Sequence, residues 1–371
     1  ILYDINDSAP NLTFFADVEV TGDAAGTKIL EDQLEFLWGD ASNPNIFNQA
    51  PGVLVLPSDG VGIEVQAGQG DDEVDAGAGD DIVFGGTGGD EITIVGGNNI
   101  VLGDLGVIDY TTADADPSDI DEIYSTETAT GGVDTITTGS GSDIVIGGMA
   151  GDTINVDNGY NLVIGDNGAI TAAAASDYQT LPGQSLTIGQ VATMAPGDGG
   201  KDTIDTGLGD DMVLGGHEED ILRVSEGHNI VLGDDGEITF TGTDFGGTDA
   251  GDDTDASDID EIVSTSTSAN GGFDTITSGA GDDIIIGGRY GDIINAGNGD
   301  NLVIGDSGRI RAAGEDDPQF TGQPITFGKI ETSQSNDGGK DTIDTGLGDD
   351  IVLGGHDEDI LRVSEGHNIV L

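Results

Sequence analysis

Twenty Asp or Asn side chains recur in this chain at one fixed phase, and carboxylates held at a regular spacing are ligands for hard cations. The pattern is G-G-x-G-x-D-x-U-x, nine residues long, with U aliphatic. It is plainest over 76–93, AGAGDDIVF followed by GGTGGDEIT. The sixth position carries Asp72, Asp81, Asp90 and Asn99 in a first block, and Asp134, Asp143, Asp152 and Asn161 in a second. It carries Asp202, Asp211, Asp220 and Asn229 in a third, Asp274, Asp283, Asp292 and Asn301 in a fourth, and Asp341, Asp350, Asp359 and Asn368 in a fifth. The first four blocks run on into GDxG, which adds Asp104, Asp166, Asp234 and Asp306. Two residues after each sixth position stands an aliphatic side chain, from Val74, Val83, Ile92 and Val101 to Ile343, Val352, Leu361 and Val370.

Elementary physics turns this phase into an architecture. Glycines that adopt φ > 0 make a turn of the first six residues. The last three form a very short strand whose aliphatic side chain points inward. Two nonapeptides then make one coil of a flattened, right-handed parallel helix, and nonapeptides two apart stack. Asp134 is expected over Asp152, and Asp143 over Asn161. A ladder of single aliphatics is too thin a core to hold such a fold alone. Stacked carboxylates repel unless a cation lies between them. Calcium suits the site best, because it accepts six to eight oxygens in flexible geometry whereas magnesium demands a strict octahedron. Binding energy then becomes folding energy. About three sites per block imply on the order of fifteen ions.

Two departures from the pattern carry expectations. The fourth position of the third nonapeptide is Gly88 in the first block but Ala150, Glu218, Tyr290 and Asp357 in the others. A side chain at φ > 0 is costly, so these turns are expected to open differently and to bind calcium weakly or not at all. The fourth nonapeptide always has Asn at its sixth position, which suits a site already served by the Asp of GDxG.

Composition narrows the partners. The 371 residues carry 72 acidic and 9 basic side chains, a formal charge of −63, with 65 glycines and no cysteine. Such a charge argues against nucleic acid and anionic membranes, and no apolar run approaches a membrane span. It predicts disorder unless something cancels it, and multivalent cations are the natural partners. The insert acids Asp114, Asp116, Asp252, Asp253 and Asp255 follow no phase and read as solvated surface.

The chain divides into a non-repeat β-rich segment, 1–60, with strand-like alternation over 11–20. Repeat blocks each followed by an insert then occupy 61–128, 129–196, 197–268 and 269–335, and a fifth block spans 336–371. Residues 199–232 and 338–371 differ only at Met212/Ile351 and Glu218/Asp357. The inserts alternate in type. SDIDEIYSTET (118–128) matches SDIDEIVSTST (257–267), and LTIGQVAT (186–193) matches ITFGKIET (325–332). The true unit is thus a doublet, and each insert is expected to form a hairpin, with AITAAAA (169–175) and EITFTGT (237–243) as outgoing strands. The start at Ile1 and the stop within a repeat read as a segment of a longer protein. The fold class is all-β: elongated, repetitive parallel β-roll blocks with β-hairpin inserts.

The nonapeptide resembles the calcium-binding repeat of the RTX family. The resemblance implies a parallel β-roll with Ca²⁺ between turns, type I secretion, and folding outside the cell. Tandem blocks with β inserts further resemble large bacterial surface adhesins and surface-layer proteins. The favoured reading is therefore a calcium-stiffened structural segment at the bacterial surface. The alternative is a secretion and folding module of a type I-secreted enzyme or toxin. Self-assembly into a fibre or lattice, with insert strands pairing edge to edge between chains, is a third.

Competing chemistries find less support. His217, His228, His356 and His367 sit at variable turn positions and read as solvent-facing decoration rather than a zinc site. Arg223 and Arg362 read as local salt-bridge partners. GGTGGD (85–90) has no following GK[ST] and no helix, so it is no phosphate loop. No HExxH, nucleophile elbow or cysteine nucleophile occurs, and the chain is expected not to be an enzyme.

Overall fold

The last three residues of each nonapeptide do form strands, and their stacking builds two long parallel sheets. The computed structural model describes residues 70–110, 119–173, 181–195, 197–240, 257–267, 270–313, 319–333 and 338–371, and the backbone of two short strands, Lys28–Leu30 and Glu64–Gln66. Asn11–Val20 and the insert acids Asp114, Asp116, Asp252, Asp253 and Asp255 lie outside the described residues. All regular structure among the described residues is strand, so none of it is a helix long and apolar enough to cross a membrane.

An outer sheet takes the strands that follow the first and third sixth positions of each block, for example Thr153–Val156 and Thr203–Thr206. A second sheet takes those that follow the other two, for example Ile144–Gly148 and Leu162–Asp166. Each sheet has eleven strands, all pairs parallel. The first pair in the outer sheet joins Lys28–Leu30, from the non-repeat segment, to Glu73–Ala76. Between the sheets lies the expected ladder, with Val74, Val83, Ile92, Val101, Ile136 and Val145 among the aliphatics that form one continuous buried cluster.

Register runs unbroken across the inserts. Ile144–Ile146 pairs with Ile100–Leu102 of the preceding block as regularly as it pairs with Leu162–Ile164 of its own. This follows from where the inserts enter. Gly103 and Asp104 occupy positions one and two of a turn whose positions three to six are Gly131, Gly132, Val133 and Asp134. Residues 105–130 leave between positions two and three. The same split separates Asp166 from Gly199, Asp234 from Gly271, and Asp306 from Gly338. Asp104 fastens the two ends, because its Oδ1 accepts the Gly132 N–H and its Oδ2 the Met149 N–H of the next turn. Asp166, Asp234 and Asp306 repeat this on Gly200 and His217, Gly272 and Arg289, and Gly339 and His356.

Each insert is a hairpin, as expected: Gly106–Asp109 with Glu122–Ser125, Gly168–Ala172 with Ile188–Thr193, Gly236–Thr239 with Glu261–Ser264, and Gly308–Ala312 with Phe327–Thr332. The hairpins also pair with one another, which makes an eight-stranded antiparallel sheet. The six inner strands of that sheet therefore have both sides hydrogen-bonded within this chain, and are not the open edges that pairing between chains would need.

The insert sheet covers the second roll sheet. Ile123, Ile170, Val191, Ile238, Ile262 and Ile310 pack on Ile144, Ile146, Leu162, Ile164, Ile284 and Ile286. The second sheet is thus buried on both faces, and its strands read as unbroken apolar runs, IVIGG or LVIGD, as parallel strands covered twice should. Outer-sheet strands such as TIDT alternate between buried and accessible. Arg223 and Arg362 stand on that sheet in register with Asp205 and Asp344 of neighbouring strands.

This layering makes a prediction. Ile170→Ala removes a fully buried side chain from the insert–roll interface and should destabilise the calcium-loaded chain by about 2–5 kcal/mol. Ile293→Ala, at a residue 43% exposed in the outer sheet, should cost about 0.5 kcal/mol or less. Urea denaturation of both variants checks this. Equal losses would mean that the inserts do not stabilise the roll.

Candidate metal sites along the turns

Turns on the two edges of the roll stack separately, and the structure sorts the sixth-position residues into two ladders. One edge holds aspartates alone. Each main-chain N–H donates to Oδ1 of the next rung: Asp72 to Asp90, Asp90 to Asp134, Asp134 to Asp152, Asp152 to Asp202, Asp202 to Asp220, Asp220 to Asp274, Asp274 to Asp292, Asp292 to Asp341 and Asp341 to Asp359, at 2.6–3.0 Å. The other edge alternates Asp and Asn through the same bond: Asp81, Asn99, Asp143, Asn161, Asp211, Asn229, Asp283, Asn301, Asp350 and Asn368. The expected stacking of Asp134 with Asp152 and of Asp143 with Asn161 is present.

On the aspartate edge the second oxygen is the chemically informative atom. Oδ2 of Asp90, Asp134, Asp152, Asp202, Asp220, Asp274, Asp292 and Asp341 is buried with no hydrogen-bond partner. Each faces a glycine at position one and the carbonyl of the equivalent glycine one coil on. A Cβ built on Gly85, Gly147, Gly215 or Gly287 would lie 2.7, 2.6, 2.6 or 2.5 Å from Oδ2 of Asp90, Asp152, Asp220 or Asp292, and would also overlap the carbonyl oxygen of Gly103, Gly165, Gly233 or Gly305. Unsatisfied carboxylate oxygen, converging main-chain carbonyls and no side chain in the way form a donor set of hard oxygens. These residues fit calcium.

Electrostatics agrees. Burial, and then the charges of Asp202 and Asp134, push Asp152 up to about 10. Burial raises Asp90 and Asp274 to about 7 and Asp134 and Asp341 to about 8. It holds Asp202, Asp220 and Asp292 well above the ordinary carboxylate value. A buried row of like charges cannot ionise unaided. On the mixed edge the carboxyls rise less than those of Asp134, Asp152 and Asp341. Burial raises Asp143 and Asp283 to about 6 and Asp211 to about 7, opposed by hydrogen bonds from neighbouring hydroxyls and Asn amides.

Two expectations need correction. The Asp residues of GDxG do not complete the Asn sites, because Asp104, Asp166, Asp234 and Asp306 lie on the aspartate edge and the Asn residues on the other. Their oxygens staple split turns, as described above, and burial raises Asp104 to about 7 and Asp166 to about 8. The block boundary hides this, since Asp104 and Gly131 belong to one turn yet stand far apart in sequence. The irregular third turns do differ in shape. Ala150, Glu218, Tyr290 and Asp357 have φ of 67–78° where Gly88 has 144°. Yet Asp152, Asp220 and Asp292 keep the ladder bond and the unpartnered Oδ2, so the donor set is the same as at Asp90.

The histidines do not come together. Among the described residues no three His, Asp, Glu or Cys side chains form a side-chain metal cage. His356 and His367 are exposed as expected, but His217 and His228 are half-buried. His228 helps to hold its turn against the next, since its Nδ1 accepts the Asp282 N–H at 3.0 Å.

The shifts fix the sign of the pH response. A carboxyl raised in the folded state stabilises the ion-free fold fully below its ordinary value of 3.8, and that contribution is lost as pH rises through about 7 to about 10. In chelator the β-signal in circular dichroism should therefore be larger at about pH 5 than at about pH 8.5. With excess calcium the order should reverse, because the ion competes with protons for ionised carboxylates. An identical response with and without calcium would refute the assignment. Gly215→Ala, which fills the cradle beside Asp220, should weaken calcium binding by about tenfold or more, the scale on which disturbed ligand frames act.

A family model of the RTX calcium-binding nonapeptide repeat matches residues 64–92, 128–169, 196–231, 268–289, 278–309 and 335–370. No curated protein and no solved structure matches the chain. The matched segments hold every rung of the two ladders except Asn99. The chain is a calcium-binding repeat protein and belongs to the RTX family.

Proposed function

We propose that this chain is a calcium-stiffened structural segment of a large secreted bacterial surface protein, such as an adhesin stalk, a surface layer or an extracellular fibre. The observation that carries the reading is continuity. Hydrogen-bonded ladders pass through all five blocks in register, and the inserts are added from within turns without interrupting them. A secretion signal or folding aid has no need of a third sheet running beside the roll, whereas a spacer resists bending when a second layer braces it. RTX repeats are typical of extracellular bacterial proteins, where calcium is abundant, and that supports placement outside the cell. The role is mechanical rather than catalytic: the ladder carboxylates are committed to rungs. The alternative role, a folding module attached to a secreted enzyme or toxin, shares the calcium chemistry and differs in what it is joined to.

Removal of calcium tests the reading. The chelated chain at neutral pH should lose most of its β-signal, expand in hydrodynamic radius and become sensitive to proteases. Millimolar Ca²⁺ should restore all three cooperatively, and Mg²⁺ at the same concentration should not. A chain that stays compact and protease-resistant in chelator would rule out a calcium-stiffened segment.

A further inference from the structure

The two edges of the roll are chemically unequal, and the difference bears on where calcium goes. On the mixed edge every second rung is Asn, and its amide nitrogen stands where a cation would act. Asn99 Nδ2 donates to Asp143 Oδ1 at 2.8 Å and to the Gly97 carbonyl at 3.1 Å. Asn161 Nδ2 donates to Asp211 Oδ1 and the Asp157 carbonyl, both at 3.0 Å. Asn229 binds Asp283 Oδ1 with the Ser225 and Gly227 carbonyls, and Asn301 binds Asp350 Oδ1 with the Gly299 carbonyl. One amide thus gathers a carboxylate oxygen and turn carbonyls, the kinds of oxygen a calcium ion would gather.

The aspartates of this edge are also served from within. Position one of their turns is Thr or Ser in four blocks, where the turns of Asp90, Asp152, Asp220, Asp292 and Asp359 on the aspartate edge have Gly. Thr138 and Thr345 donate their hydroxyls to Oδ2 of Asp143 and Asp350 at 2.7 Å. Beside Asp211 and Asp283 the same place is held by Thr206, whose Oγ1 has no hydrogen-bond partner, and by Ser278, whose hydroxyl donates to the Ala296 carbonyl at 2.9 Å, so Oδ2 of these two aspartates is buried and unpartnered.

Insert tips close the edge further. Gln184 and Gln323, each 4% exposed, reach across from the second and fourth hairpins. Gln184 Nε2 donates to the Asn99 and Ser142 carbonyls at 3.1 and 2.7 Å, and Gln323 Nε2 to those of Asn229 and Asp282 at 3.1 and 3.3 Å. Four turn carbonyls are thereby given to amide donors.

We propose that calcium binds along the aspartate edge only, and that the mixed edge is an ion-free seam closed by Asn amides, the Thr138 and Thr345 hydroxyls and the two Gln straps. The count of ions follows. Ten aspartates leave nine gaps on the calcium edge, fewer than the fifteen or so that a uniform count per block suggests.

The inference rests on the calcium reading above, and the test separates the two. The stripped chain is dialysed against Ca²⁺ and bound metal is counted by elemental analysis. Nine ions or fewer per chain are expected; about twice that number would overturn the seam, and none at all would overturn the calcium reading itself. The quadruple variant D143N/D211N/D283N/D350N should keep the full ion count, while D134N/D202N/D274N should lose at least three ions. Loss of ions from the first variant would reject the proposal. Should a variant fail to fold, anomalous scattering from calcium-grown crystals of the unaltered chain decides the matter: peaks beside Asp152 and Asp220 are expected, and peaks beside Asn161 and Asn229 would refute the seam.

Discussion

A carboxylate stacked on a carboxylate, both withdrawn from water, is the interaction on which this molecule turns. Each aspartate-edge rung contributes something indispensable to its neighbour, because Oδ1 caps a main-chain N–H that would otherwise be buried unpaired. The same side chain brings a charge that burial and its neighbours oppose. Replacing it with an apolar residue would orphan the N–H, and leaving it ionised without a counter-charge is expensive. A divalent oxygen-seeking ion satisfies both requirements at once. The glycine at position one belongs to this logic: Cβ at Gly147 would collide with the Gly165 carbonyl and close on Asp152 Oδ2, filling the space where the ion must sit.

The inserts solve a different problem with the same parts. A roll with one aliphatic per nonapeptide has a core one side chain thick. Covering the second sheet with hairpins gives it a second apolar interface, on the other face of the same strands. Growing a hairpin out of a turn breaks that turn, however, and Gly at position two could not hold the ends together. Asp at that position can. In Asp104, Asp166, Asp234 and Asp306 a single substitution within the repeat supplies acceptors for N–H groups on both sides of the break. The hairpin bases therefore emerge on the aspartate edge, and the tips at Gln184 and Gln323 reach the opposite one.

Much of this was legible in the sequence because the repeat is local. The nine-residue phase identified the aliphatic ladder and the twenty rungs, and alternation in the inserts identified hairpins. What was not legible is long-range. Nothing in the spacing of Asp104 and Gly131 declares that they share a turn, since the intervening residues look like a block boundary. The joining of four hairpins into one sheet depends on their equal rise along the roll, which is a property of the coil and not of any insert. One signal was available. Runs such as IVIGG and LVIGD, set against TIDT and TINV, mark alternate strands as covered on both faces. Likewise the change from Gly to Thr or Ser at position one marks the two edges apart in the four later blocks of the sequence. Phase alone treats all sixth positions as equivalent, and chemistry at the first position shows that they are not.

The inequality of the edges gives the ion a more specific job than general stiffening. The mixed edge closes through groups already in the chain, and the insert sheet buries its share of the core without help. The edge that remains is the one where four turns are split and four hairpins are rooted. There Asp134, Asp202, Asp274 and Asp341 follow directly on the rejoined ends, and their unpartnered oxygens face Gly103, Gly165, Gly233 and Gly305 from the other side of each break. A cation at such a point binds both halves of a divided turn. Calcium would then govern whether successive blocks act as one body, with each ion placed where the covalent chain takes its longest detour.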